Sequence, residues 1–389
     1  VIELRDLLRP GARVAVADGC GAPRALFGEL NRAAVAHGDV SLVLGWLPLP
    51  EPELDLAVFA DVATVLGGAG LRAGLEAGAV RLVPARLSAV PALLAGPLRP
   101  DLLLATLVRG PDGLVFGAEV GWMRGLVEAG VPVAAVVSGS APRADAGPPL
   151  PADAVTVLAE VDGPAGVPAV LDVPPPGPAD EAIARHVAAL VPEGARVQVG
   201  PGRLAAAMVA ALRVPVRMDS GMLPDPVVDL DRRGLLLDEP VAAWLIGTPR
   251  LYGWADGRPL LHPVEVVHDI GRLSAADRPP LIALNTALEV DLDGQVNVES
   301  TGGRATGMIG GHPDFAAAGA RSRDGLSVLA VPSRHRTGPT LVERLSGPVT
   351  TPSQDIDVVV TERGSVDLRG LDRPGRRAAL RDLWGDRSG

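Results

Sequence analysis

The chain has 389 residues, 47% of them hydrophobic and 21% charged, and carries a net charge of −10. These values exclude a disordered polymer, and the acidic balance argues against a nucleic-acid partner, which would leave a basic stripe. A single cysteine, Cys20, excludes an intramolecular disulfide framework and fits a reducing compartment. The sequence contains no lysine, so any side-chain cation that meets an anion is a guanidinium. Aromatic residues make up only 3%, which leaves valine, leucine and alanine to build the core. The opening VIELRDLLRP is charged through its first turns and has no signal-peptide core, and the longer uncharged runs are too short to span a bilayer. A cytoplasmic protein without a membrane partner is expected.

In chain order, RPGARVAVADGCGAPRALFGEL (9–30) reads as a strand, a glycine-bearing loop and a helix. Strand-like runs follow at 40–46, 102–108, 131–137 and 154–161. The proline-rich VPPPGPADEAIARHVAALV (173–191) reads as a linker and then a helix starting at Pro178–Glu181. Next, PEGARVQVGPGRLAAAMVAAL (192–212) repeats the Gly-Ala-Arg-Val-x-Val, loop and helix pattern of the opening, close to half a chain later. Further strands are expected at 242–247, 280–292, 326–332 and 357–362. The tail RPGRRAALRDLWGDRSG reads as a basic helix that frays at its end. Short apolar strands separated by helical stretches predict an α/β fold: two related open, mostly parallel-sheet domains, covering 1–177 and 178–389.

Several loops have the composition of binding sites. Val199-Gly200-Pro201-Gly202-Arg203-Leu204 joins a strand to a helix, and Gly200 and Gly202 would let backbone N–H groups approach an anion. Such turns also use glycine for steric reasons alone, and neither a dinucleotide fingerprint nor a P-loop is present. ESTGGRATGMIGGHPDFAAA (299–318) carries glycines at 302, 303, 307, 310 and 311. That density exceeds what a connection needs, which predicts close approach to a ligand. His312 and Asp314 have no partner cluster at metal-ligand spacing, so a structural role is expected for both and no metal site. Glu289, Asp291 and Asp293 alternate and so share one face of a strand. They fit either acid–base work or, by preference, the wet end of a strand entering the Asp293-Gly294 turn.

The second half, from VQVGPG through MLPDPVVDL, GTPRLYGW, IALNTALEVDLDGQVNVESTGG and GMIGGHPDF to GPVTTPSQDIDVVVTERGSVDLRG, resembles the acetyl-CoA hydrolase/transferase family. These are acyl-CoA:carboxylate CoA-transferases such as the 4-hydroxybutyrate and acetate CoA-transferases. The resemblance is collinear over about 180–380 and continues more weakly in LVPARLSAVPALL (82–94) and ATLVRGPDGLVFGAE (105–119). It implies two open CoA-transferase-type α/β domains, coenzyme A or an acyl-CoA as ligand, a carboxylate or another acyl acceptor as second substrate, and a homo-oligomer. It also implies a glutamate that attacks the thioester and becomes a glutamyl-CoA intermediate. The loop Gly307, Met308, Ile309, Gly310 and Gly311 would close over the thioester, Gly200 and Gly202 would line the opposite wall, and Arg304 is a candidate phosphate contact.

One segment departs from the family. Its glutamate lies in His-Ser/Thr-Glu-Met-Ile/Leu-x-Asp-Gly-Val-Val-Asp-Leu, and without gaps this chain supplies Asp219-Ser220-Gly221-Met222-Leu223-Pro224-Asp225-Pro226-Val227-Val228-Asp229-Leu230. Gly221 stands at the nucleophile position and has no side chain to form an anhydride. The resemblance therefore implies hydrolysis or acyl transfer by altered chemistry, with Asp219 as the nearest replacement base or nucleophile. The alternatives are an inactive CoA-ester-binding or regulatory subunit, or conventional transfer through another carboxylate such as Glu289 or Glu299.

Overall fold

Apolar runs rich in valine, leucine and alanine form the inner strands of two separate sheets. They are seen in a computed structural model that describes residues 2–336 and 338–385. The chain folds into two units: one runs up to Leu171 and takes in Ala243–Val266, and the other comprises Asp172–Ala242 and the residues from Val267 onward. The single cut expected near residue 177 is corrected in this respect. The strand Trp244–Ile246 and its surroundings return to the first unit, where the Leu245 N–H donates to the Ala118 carbonyl and the Leu171 N–H to that of Gly247.

In the first unit the strand order is Arg81–Leu82, Asp61–Thr64, Ser41–Leu44, Arg13–Val16, Leu102–Arg109, Val133–Ser138 and Val155–Val161. Every neighbouring pair in that series is parallel, and Leu114–Phe116 adds antiparallel to Leu102–Arg109. Fully buried Val14, Val16, Leu42, Leu44 and Leu104 pack with Phe27 and Leu30 of the helix Phe27–His37. A parallel sheet covered on its faces accounts for the near-continuous apolar runs in the sequence.

In the second unit the order is Arg217–Met218, Arg196–Val199, Leu281–Asn285, Leu326–Ala330, Val358–Thr361 and Gly364–Asp367. All pairs are parallel except the last, which is a tight antiparallel hairpin. The two copies of the sequence repeat occupy equivalent places. Val14 pairs with both Leu42 and Leu102, and Val197 with both Met218 and Ile282, so each repeat supplies an inner strand of its own sheet.

The helix Pro178–Ala188 begins where its sequence directs, with proline in the first turn and the Asp180 carboxylate accepting the Gly177 N–H. The run 280–292 is two strands rather than one. Leu281–Asn285 belongs to the main sheet, whereas Glu289–Asp291 pairs antiparallel with Val296–Asn297 and parallel with Leu341–Val342. The tail forms the helix Arg373–Trp384, capped by Asp372 and held down by buried Leu380 and Trp384. Its expected frayed end, 386–389, lies outside the described residues. Among the described residues no helix is long and apolar enough to cross a membrane.

Candidate active site

Asp219 and Ser220 continue the edge strand Arg217–Met218 of the second unit and lead into the bend at Gly221, and backbone bonds fix the first two residues on opposite sides. The Asp219 N–H donates to the Val197 carbonyl and the Ser220 N–H to that of Val241. Ser220 is fully buried; its hydroxyl donates to the Val199 carbonyl at 2.9 Å and accepts the Val199 N–H at 3.1 Å. This side chain ties the loop to the end of the strand that carries Gly200. Past Leu223, Pro226 opens the helix Pro226–Arg232, a position where a missing N–H costs nothing.

The Asp219 carboxylate is held by two guanidiniums. Oδ2 accepts from Arg196 Nη1 at 3.1 Å and Arg272 Nη1 at 3.0 Å, and Oδ1 accepts from Arg272 Nη2 at 2.6 Å. All three side chains are largely withdrawn from solvent. An oxyanion engaged in this way is the counter-ion of two arginines, and its commitment to them weighs against the expected role of Asp219 as replacement base. Two residues along, the path from Gly221 is closed by buried rings: a Cβ built there would stand 3.3 Å from His268 Nε2 and 3.5 Å from Phe315 Cε2.

Each glycine of the 302–311 loop has a reason within the chain. Gly302 and Gly303, at φ +57° and +78°, make the two-residue turn of the hairpin Ser300–Thr301 and Arg304–Ala305, and Gly310 is also at positive φ. A Cβ on Gly307 would overlap the Val298 carbonyl oxygen, and one on Gly311 would overlap His268 Cε1. Torsion and packing within the chain thus suffice to require these glycines, so their number by itself does not call for a ligand. Gly200 differs, since it has neither a positive φ nor any atom within 4 Å of a built Cβ, and it lies in a partly exposed turn. Gly311→Ala is accordingly expected to cost about 1–3 kcal/mol of stability, because buried His268 or Phe315 must shift. Gly200→Ala is expected to stay within about 0.5 kcal/mol, and denaturant unfolding of both variants checks the contrast.

The carboxylates expected to share a strand face are dispersed into separate networks. Glu289 accepts from Asn297 Nδ2, Ser346 N and Ser346 Oγ. Desolvation pushes its pKa up, but those hydrogen bonds outweigh it and the net shift is downward. Asp291 caps its turn by accepting from the backbone of Asp293 and Gln295, and Asp293 itself pairs with Arg377 at 2.8 Å. Glu299 accepts from Thr350 Oγ1. Arg304 is exposed at the hairpin. Met308 and Ile309 are half-buried in the glycine loop.

His312 begins the helix His312–Arg321, with Nδ1 2.7 Å from Thr351 Oγ1, and burial lowers its pKa to about 4, so the ring is neutral. Among the described residues no group of three side chains is arranged to hold a metal. The residue that sequence reading missed is His268. It is 1% exposed, with Nδ1 3.6 Å from Asp314 Oδ2 and its ring 4.8 Å from that of Phe315 at an interplanar angle of 61°. Nothing local in Val-Val-His-Asp marks it, since only the tertiary fold brings it to Gly221 and Gly311.

This architecture is the open α/β fold of CoA-transferases. A 4-hydroxybutyrate CoA-transferase from Porphyromonas gingivalis superposes with a TM-score of 0.74 at 22% identity, covering 97% of this chain and 91% of that one. RipA from Yersinia pestis superposes with a TM-score of 0.85 at 24% identity and the same coverage. In sequence, residues 247–383 match the acetyl-CoA hydrolase/transferase C-terminal domain. The 4-hydroxybutyrate coenzyme A transferase of Clostridium kluyveri is 26% identical over 343 residues, 83% of this chain and 78% of its own length. Residues 247–383 thus match the family's C-terminal domain, and over most of its length the chain is similar to CoA-transferases in sequence and in fold.

Proposed function

We propose that this protein binds an acyl-CoA thioester and cleaves or transfers its acyl group without a glutamyl-CoA intermediate. The observation that carries the reading is the setting of Gly221. Buried Ser220 anchors the loop to Val199, which fixes Gly221 in place, and the space beyond its Cα is met by an imidazole rather than a carboxylate. Asp219 does not replace the missing group, because two arginines hold it. Glu289 and Glu299 are committed to Ser346, Asn297 and Thr350, which weighs against conventional transfer through either. Gly200 has no steric or torsional reason to be glycine, and close approach of the ligand supplies one.

The test is incubation with acetyl-, butyryl- and succinyl-CoA, following free thiol, with hydroxylamine trapping and peptide mapping in parallel. Thiol release with no trapped enzyme carboxylate is expected. Thermal stabilisation by these esters without release would instead identify a CoA-ester-binding subunit. An adduct at Glu289 or Glu299 would restore the conventional transfer route, and neither binding nor release would defeat the acyl-CoA reading.

A further inference from the structure

Resting on that reading, we propose that His268, backed by Asp314, is the general base that activates water against the thioester, so that the second unit houses a hydrolase site. The ring is fixed from several directions. Its Nε2 edge is turned to Gly221, where a built Cβ would stand 3.3 Å away, and Phe315 packs edge-on against the ring at 4.8 Å. Its Nδ1 edge is turned to Asp314 Oδ2 at 3.6 Å and to Gly311, whose built Cβ would lie 3.0 Å from Nδ1.

Two glycines from separate motifs thus make room for one imidazole. Neither is glycine for its torsion, because Gly221 and Gly311 both lack a positive φ. If the ring only filled space, phenylalanine or leucine would serve. The structure instead buries a carboxylate completely beside it, and burying a charge is costly unless the pair has use for it. A base oriented by a third group is the recurring arrangement for activating a weak nucleophile, and an imidazole suits that task near neutral pH.

In the step itself, His268 Nε2 takes a proton from water as the water oxygen bonds to the thioester carbonyl carbon. The tetrahedral intermediate then collapses, the C–S bond breaks, and the departing sulfur takes the proton from the imidazolium. The products are the carboxylic acid and the CoA thiol, and nothing is oxidised or reduced. Asp314 contributes by stabilising the imidazolium that forms between the two proton transfers.

The experiment compares the unaltered protein with His268→Gln and Asp314→Asn, using acetyl-, butyryl- and succinyl-CoA as probes. For His268→Gln, kcat is expected to fall by roughly 10²–10⁴-fold while KM changes by less than about threefold, and the solvent deuterium isotope effect on kcat is lost. For Asp314→Asn, a fall of roughly tenfold in kcat with KM again retained is expected. Circular dichroism establishes that each variant is folded, and Asp314→Asn carries the test if His268→Gln is not. Thiol release that survives both substitutions with kcat unchanged overturns this inference alone. Absence of release by the unaltered protein with all three thioesters overturns both the inference and the reading beneath it.

Discussion

Asp219→Ala is expected to destabilise the second unit by about 3–5 kcal/mol, a fall in its thermal midpoint of roughly 10 °C. The carboxylate it removes is 3% exposed and accepts three hydrogen bonds from two guanidiniums. Its loss leaves the Arg196 charge buried without that anion. The Arg196 contacts to the Pro279 and Leu273 carbonyls satisfy donors but do not neutralise it. Breaking a buried pair by deleting one partner costs far more than the pair itself contributes. Asp219→Asn retains shape and one acceptor, and is expected to fall between the parent and the alanine variant. Urea unfolding separates the cases. A loss below about 1 kcal/mol for Asp219→Ala would mean that the arginines find other partners and that Asp219 is not the counter-ion of this corner. The result also bears on chemistry, since a structural counter-ion lowers the folded fraction rather than the turnover of folded molecules.

The sheets were legible because their periodicity is local. Runs such as Leu102–Leu104 and Leu281–Leu284 are apolar on both faces, a pattern that parallel strands covered by helices impose directly on sequence. The repeated Gly-Ala-Arg-Val was informative for the same reason, as each copy is an inner strand followed by a helix. The site was legible only in part. Gly221 was found through the order of motifs around it, but the imidazole beside it comes from residue 268 and its carboxylate from residue 314, and no local pattern links the three. The glycine loop is illegible in a different way, because its composition does not separate the reasons for its glycines. Gly302 and Gly303 answer to hairpin torsion, while Gly307 and Gly311 answer to atoms more than a turn away. The return of Ala243–Val266 to the first unit likewise has no compositional mark; it depends on which strand ends receive those backbone bonds.

Glu119→Gln is expected to stabilise the first unit above neutral pH and to flatten its dependence on pH. The side chain lies where Gly19 and Gly21 leave room for it, with Oε2 accepting the Gly21 N–H at 3.1 Å. Desolvation is the main cause that raises its pKa from 4.5 to about 8, and the charge of Asp18 adds to it, while the Gly21 N–H works in the opposite direction. Asp18 is itself raised to about 6 by burial, although Trp122 Nε1, Trp244 Nε1 and the Trp46 N–H all donate to it. Between the unfolded and folded values the native state holds a proton that the unfolded chain has released. Stability from Glu119 is therefore lost as pH rises from about 4.5 and levels off above about 8. At about 1.4 kcal/mol per unit, the full swing is roughly 5 kcal/mol. Glutamine keeps the oxygen that Gly21 needs and cannot ionise, so the thermal midpoint of the variant should exceed that of the parent at pH 8.5 and match it near pH 4.5. Thermal melts of both proteins at half-unit intervals across that range decide the matter. A parent midpoint that is flat with pH, or a variant that tracks the parent throughout, would mean that Glu119 ionises in the native state as readily as it does in water.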